Sequence, residues 1–82
     1  MIQVRVKLFA AARQLAGSET ITVDVTEPAT AAALRDAMAN QIPSLKDLLQ
    51  YAHFAVNAEY VNSNAVFPPD TEVACIPPVS GG

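Results

Sequence analysis

Cationic charge is scarce in this chain and thinly spread. Its five basic residues, Arg5, Lys7, Arg13, Arg35 and Lys46, form no run among 82, whereas binding nucleic acid takes a basic face that neutralises phosphates. Eight acidic residues leave a formal charge of −3 and a sequence pI of about 4.7. Nucleic acid is therefore not expected as a partner, and a protein with a neutral or basic surface is. Cysteine occurs once, as Cys75, so no internal disulfide can form, in keeping with a reducing compartment. His53 is the sole histidine and has no cysteine near it in sequence, so no metal site is expected. It reads as a surface or boundary residue ahead of a strand. No apolar run approaches the ~20 residues of a bilayer span. The opening Met1-Ile2-Gln3-Val4-Arg5-Val6 alternates instead of following the order of a signal peptide. A cytoplasmic protein without a membrane partner is expected. Only three glycines are present, two of them Gly81 and Gly82, and no glycine-rich phosphate loop exists. Neither a Ser-His-Asp set nor a convincing carboxylate pair can be assembled. The folded part lacks an enzyme's equipment, and no cofactor is expected to bind it.

What the chain does have is alternation. Ile2, Val4, Val6 and Leu8 alternate with Gln3, Arg5, Lys7 and Phe9, which predicts a half-buried strand with the first set inside. Ala10 to Ala16 is rich in helix-forming alanine, with Leu15 as its expected anchor and Gly17 as its stop. Ile21, Val23 and Val25 give a second strand, expected to pair antiparallel with the first. Thr30 caps the main helix, whose inner face carries Leu34, Ala37, Met38 and Ile42, while Arg35, Asp36 and Asn40 lie elsewhere. Pro43 ends it, and Ser44 is the expected cap of a shorter helix carrying Leu45, Leu48 and Leu49. Phe54, Val56 and Ala58 read as a short strand, and Asn57 to Tyr60 as a turn into a pairing at Tyr60-Val61. Asn62-Ser63-Asn64 and Pro68-Pro69-Asp70 are turns. Glu72 to Ile76 is the last strand, in which Cys75 is expected to be a small core residue with its thiol protonated.

Pro77-Pro78-Val79-Ser80-Gly81-Gly82 follows that strand. Proline cannot donate a ladder hydrogen bond, so the sheet is expected to stop here, dividing a domain (1–76) from an extended tail (77–82). Six extended residues reach about 20 Å, at ~3.3–3.6 Å each. Glycines without Cβ make the tip slim enough for a narrow channel. The terminal carboxyl group of Gly82, with an ordinary pKa of about 3.3–3.7, is ionised at neutral pH and able to attack an activated phosphate. Fraying is the usual fate of a chain end, and the residues alone leave both readings open.

Val56-Asn57, Val61, Asp70-Thr71-Glu72-Val73-Ala74 and Ile76-Pro77-Pro78-Val79-Ser80-Gly81-Gly82 resemble the small, sulfur-carrying subunits of molybdopterin synthase. The opening strand followed by Phe9-Ala10 fits as well, so the resemblance spans the chain. Two positions depart from it: Asp70-Thr71 replaces the family's Gly-Asp, and Cys75 replaces a bulkier apolar residue. The resemblance implies an α+β fold, the ubiquitin-like β-grasp roll, with a mixed sheet packed on one main helix and the first and last strands parallel neighbours. It also implies a sulfur carrier. A partner adenylyltransferase uses ATP to activate Gly82, sulfur replaces the adenylate, and the thiocarboxylate is delivered to cyclic pyranopterin monophosphate in the large synthase subunit, in an expected heterotetramer. Pro77, Pro78, Val79, Ser80 and Gly81 would insert with Gly82. Phe9 and Ile76 share outward parity at the strand ends, and with Tyr60 they form the expected partner interface. Rival implications are a thiamine-thiazole sulfur carrier, a ubiquitin-like protein modifier acting through Gly82, and a plain interaction module with an inert tail.

Overall fold

A computed structural model describes residues 1–78 of the chain. Five strands, β1 (Ile2–Leu8), β2 (Thr20–Val25), β3 (His53–Val56), β4 (Glu59–Val61) and β5 (Glu72–Ile76), form one sheet in the order β2-β1-β5-β3-β4. The central pair β1 and β5 is parallel, with Val6 opposite Val73 and Leu8 opposite Cys75. β2 pairs antiparallel with β1, and β3 antiparallel with both β5 and β4. This is the mixed β-grasp sheet expected.

One face of the sheet carries Val4, Val6, Leu8, Val23, Val25, Phe54, Val73 and Cys75, all buried. They pack on α2 (Ala31–Gln41) through Leu34 and Met38. Burying side chains of this size stabilises by roughly 1.5–3 kcal/mol each, which makes this face the main source of stability. Thr30 caps α2 as expected, its Oγ1 accepting from Ala33 N at 3.0 Å. Two smaller helices, α1 (Ala10–Ala16) and α3 (Lys46–Leu49), close the ends of the core.

Three local expectations need correction. Leu15 is 49% exposed and anchors nothing. The inward stripe of α1 runs from Ala12 to Ala16 at i, i+4 spacing, and Leu15, about 60° from Ala12 and about 100° from Ala16, falls outside its edge. Ser44 caps no helix, because Pro43–Leu45 form a 3-10 turn that runs directly into α3 without a capping position. Ala58 belongs to the hairpin turn and not to a strand. Val56 faces Glu59 across the two residues Asn57 and Ala58, both with positive φ, as a two-residue hairpin requires. Arg35, off the inner stripe of α2 as expected, is nonetheless half-buried. Its guanidinium donates to the carbonyls of Leu49 and Ala52 and stacks 5.2 Å from the Phe54 ring centroid, tying α2 to the segment that enters β3.

The stretch between β4 and β5 is pinned to the start of α2. Phe67 N donates to Ala29 O at 2.8 Å and Ala31 N to Ala65 O at 2.9 Å. Phe67 is thereby buried, a core residue that no periodicity announced. Asn62 Oδ1 accepts from Asn64 N at 2.9 Å, and Pro68 O accepts from Thr71 Oγ1 at 2.6 Å, so both expected turns form. No helix among the described residues is long and apolar enough to cross a membrane.

Candidate docking groove at the root of the tail

The sheet's other face has one row that crosses four strands. Register places Lys7 (β1) beside Ala74 (β5), Ala74 beside Ala55 (β3), and Ala55 beside Tyr60 (β4). The two middle strands carry alanine and the outer two a long side chain, so the face is concave. Ala55 is almost fully buried at the bottom, although it points away from the core. Phe9 and Ile76 line the same groove, as does Tyr60. Phe9 and Ile76, which sequence parity groups, and Tyr60, added to them as a neighbour, are thus brought to one surface feature.

Each is held differently. Phe9 continues the extended backbone of β1 as the N-cap of α1, with φ −125° and ψ 155°. It remains 40% exposed, and Lys7 Nζ lies 5.7 Å from its ring centroid. Tyr60 is 67% exposed and stacks on His53, centroid to centroid 5.2 Å. Ile76 is half-buried and sits opposite His53 in the β3–β5 register. Aromatic and branched groups left accessible in a concave, uncharged floor suit a protein partner. Parity had signalled Ala74, whereas Ala55 went unremarked because a small residue gives no hydrophobic signal of its own.

β5 ends at this groove. Pro77 is buried, continuing the inward parity of Val73 and Cys75, and Pro78 is exposed. The expected tail residues Val79, Ser80, Gly81 and Gly82 lie outside the described residues. Asp70, where the resemblance called for glycine, has φ 64°, a left-handed backbone that aspartate tolerates better than most residues.

Cys75 is fully buried. Burial pushes its thiol from the ordinary 9.0 up to about 11, against a smaller lowering by the Arg35 charge. A thiol held protonated is a poor nucleophile, so the native protein is expected to resist alkylation at pH 8 and to react once unfolded. The same shift sets a pH dependence. The unfolded chain releases this proton first, so the associated stability is complete below pH 9 and is lost as pH rises to about 11. Its ceiling is about 2–3 kcal/mol. Urea titrations between pH 8 and 11 should show that decline, and Cys75→Ala should flatten it. Among the described residues no group of histidine, cysteine and carboxylate side chains is arranged to hold a metal ion.

Residues 6–82 match the ThiS family. The molybdopterin synthase sulfur carrier subunit of Arabidopsis thaliana is 33% identical over 81 residues, covering 99% of this chain and 84% of that protein. Among solved structures, SAMP1 of Haloferax volcanii is 31% identical with a TM-score of 0.83, covering 98% of this chain and 99% of that one. One chain of a protein–protein complex of subunits 1 and 2 of the molybdopterin-converting factor from Helicobacter pylori has the same fold. Its TM-score is 0.68 at 23% identity, over 99% of this chain and 100% of that one. With its β-grasp sheet and its Pro-Pro-Val-Ser-Gly-Gly sequence, the chain belongs to the ThiS family and is a homologue of the molybdopterin synthase sulfur carrier subunits.

Proposed function

We propose that the chain carries sulfur on Gly82 as the small subunit of a molybdopterin synthase. The Gly82 carboxylate attacks the α-phosphorus of ATP on an adenylyltransferase, forming an acyl-adenylate and releasing pyrophosphate. A sulfur nucleophile then displaces AMP and leaves a thiocarboxylate. The loaded chain docks with the large subunit, which supplies the substrate pocket and the catalytic side chains. There the thiocarboxylate sulfur bonds to a carbon of cyclic pyranopterin monophosphate as that carbon's bond to oxygen breaks and the oxygen leaves, and water cleaves the acyl–sulfur bond to restore the carboxylate. Two sulfurs per dithiolene require two such deliveries. This chain binds no cofactor itself, and ATP belongs to the activating partner.

The observation that carries this reading is the position of the groove at the root of the tail. Ile76 is at once the last residue of β5 and part of the groove wall, so a partner seated there also meets the chain from Pro78 onward. Pro77, expected to insert with the tail, is instead buried in the domain because it continues the inward parity of Val73 and Cys75. The Helicobacter pylori structure, a complex of two subunits of the same kind of factor, supports a large-subunit partner. Incubation with ATP, a sulfur source and competent cell extract should give an intact mass in which one oxygen of the chain is exchanged for sulfur. Recovery of unmodified chain alone would count against the carrier role. Docking is tested by calorimetric titration with the large subunit, where Phe9→Ala and Ile76→Ala should each weaken binding by ~1–3 kcal/mol. Unchanged affinity in both would move the interface elsewhere.

The likeness to SAMP1, a small archaeal modifier protein, supports a second reading in which Gly82 is joined to amino groups of other proteins. Higher-mass covalent conjugates of the chain in cells, abolished by deleting Gly82, would distinguish that use. A thiamine-thiazole carrier would load Gly82 in the same way but would not bind the large subunit.

A further inference from the structure

Four non-glycine residues among those described have a left-handed backbone: Ala10 (φ 50°), Asn57 (φ 52°), Ala58 (φ 66°) and Asp70 (φ 64°). Asn57, Ala58 and Asp70 line the groove, and Ala10 directly follows Phe9, which lines it too. All the disfavoured backbone therefore gathers at the rim of one surface feature. Asparagine and aspartate tolerate this region through local hydrogen bonds, but alanine does not, because its Cβ crowds a carbonyl oxygen. The need for a turn explains the shape at Asn57-Ala58 but not the second residue, since Asn-Gly fits such a turn with less strain. At Ala10, the first residue of α1, the start of a right-handed helix gives no reason for positive φ at all.

We infer that Ala10 and Ala58 hold the groove rim in a single shape, presenting Phe9 and Tyr60 ready to dock at the expense of fold stability. This rests on the groove being the large subunit's docking face. The left-handed well of alanine is narrow, with no neighbouring region of low energy at positive φ, whereas that of glycine is broad. An alanine forced into that well leaves one backbone path for the aromatic residue beside it, Phe9 immediately before Ala10 and Tyr60 two residues after Ala58. Glycine removes the steric cost but admits several paths, and docking must then select among them at a loss of entropy. Strain that persists beside a binding surface fits this exchange of stability for order.

The test compares Ala10→Gly, Ala58→Gly, Ala10→Asn and Ala58→Asn by thermal unfolding, calorimetric titration with the large subunit, and backbone amide order parameters. The glycine variants should melt a few degrees higher, yet bind about two- to tenfold more weakly. Amide order at Phe9 and Tyr60 should fall in the respective variants. The asparagine variants keep a Cβ while easing the strain, so they should melt higher and retain the parent affinity. Glycine variants that bind as tightly as the parent, or melt no higher, overturn the inference even where Phe9→Ala and Ile76→Ala weaken docking. Should Phe9→Ala and Ile76→Ala both leave affinity unchanged, the docking reading fails and the inference falls with it.

Discussion

Deleting Gly82, or adding one residue after it, should abolish sulfur loading while leaving the melting temperature within a degree or so of the parent. The chemistry needs a carboxylate at one position on a slim tip. Deletion moves that group back by about 3.3–3.6 Å and puts it on Gly81, whereas extension turns the Gly82 carboxyl into an amide that cannot attack ATP. Displacements far smaller than this remove a reacting group from its near-attack geometry, where oriented contacts supply much of the rate. The stability arm has a separate cause. The buried apolar set runs from Val4 to Cys75 and Pro77 is the last buried residue among those described, so both changes fall five residues or more beyond it. Intact mass after loading reads the first effect and thermal unfolding the second. Normal loading of the extended chain, without trimming back to Gly82, would overturn the carrier mechanism.

Phe54→Ala should have the largest effect on folding, about 3–5 kcal/mol. A domain of this size holds only about 4–12 kcal/mol in all, so the variant should be near the edge of its folded range. Phe54 is almost completely buried and sits opposite Cys75 on one side and Val61 on the other. Its ring also faces the Arg35 guanidinium. Truncation therefore opens a cavity between β5 and β4 and removes the surface on which a half-buried cation rests. Arg35→Ala alone should cost about 1.5–3 kcal/mol through the lost donors to Leu49 and Ala52. The pair should be less than additive, since both single changes break the same stack. Urea unfolding of the four proteins of this cycle measures the coupling. A cost below about 1 kcal/mol for Phe54→Ala would be incompatible with the packing described.

Much of this architecture was legible because a strand buried on one face repeats every two residues. Val4, Val6 and Leu8, or Val73 and Cys75, can satisfy only one orientation. The capping of α2 by Thr30 and the stop at Gly17 were legible for the same local reason: each is fixed by a backbone requirement within a few residues. What escaped depends on contacts distant in sequence. Phe67 is buried because the segment around it is hydrogen-bonded to Ala29 and Ala31. Arg35 turns inward because carbonyls at Leu49 and Ala52 await a donor. The groove was half legible. Of its walls, Phe9 and Ile76 stood out as apolar groups on an outward parity and Tyr60 by its place at the nearby turn, but its floor is an absence of bulk at Ala55 and Ala74. The tip's chemistry rested on the family resemblance of its terminal motif.

The buried Pro77 fixes the pivot of the tail one residue later than the end of β5. Pro78 beyond it is exposed, and a five-residue stretch such as 78–82 can span at most about 16–18 Å. That length is a ruler built into the chain. Under the proposed carrier role, an activating enzyme and a synthase subunit working on the same terminal atom would both have to bring their reactive centres within that radius of the pivot. Two proteins unrelated in chemistry would thereby be held to a common depth of active site, whatever surfaces they used to grip the sheet.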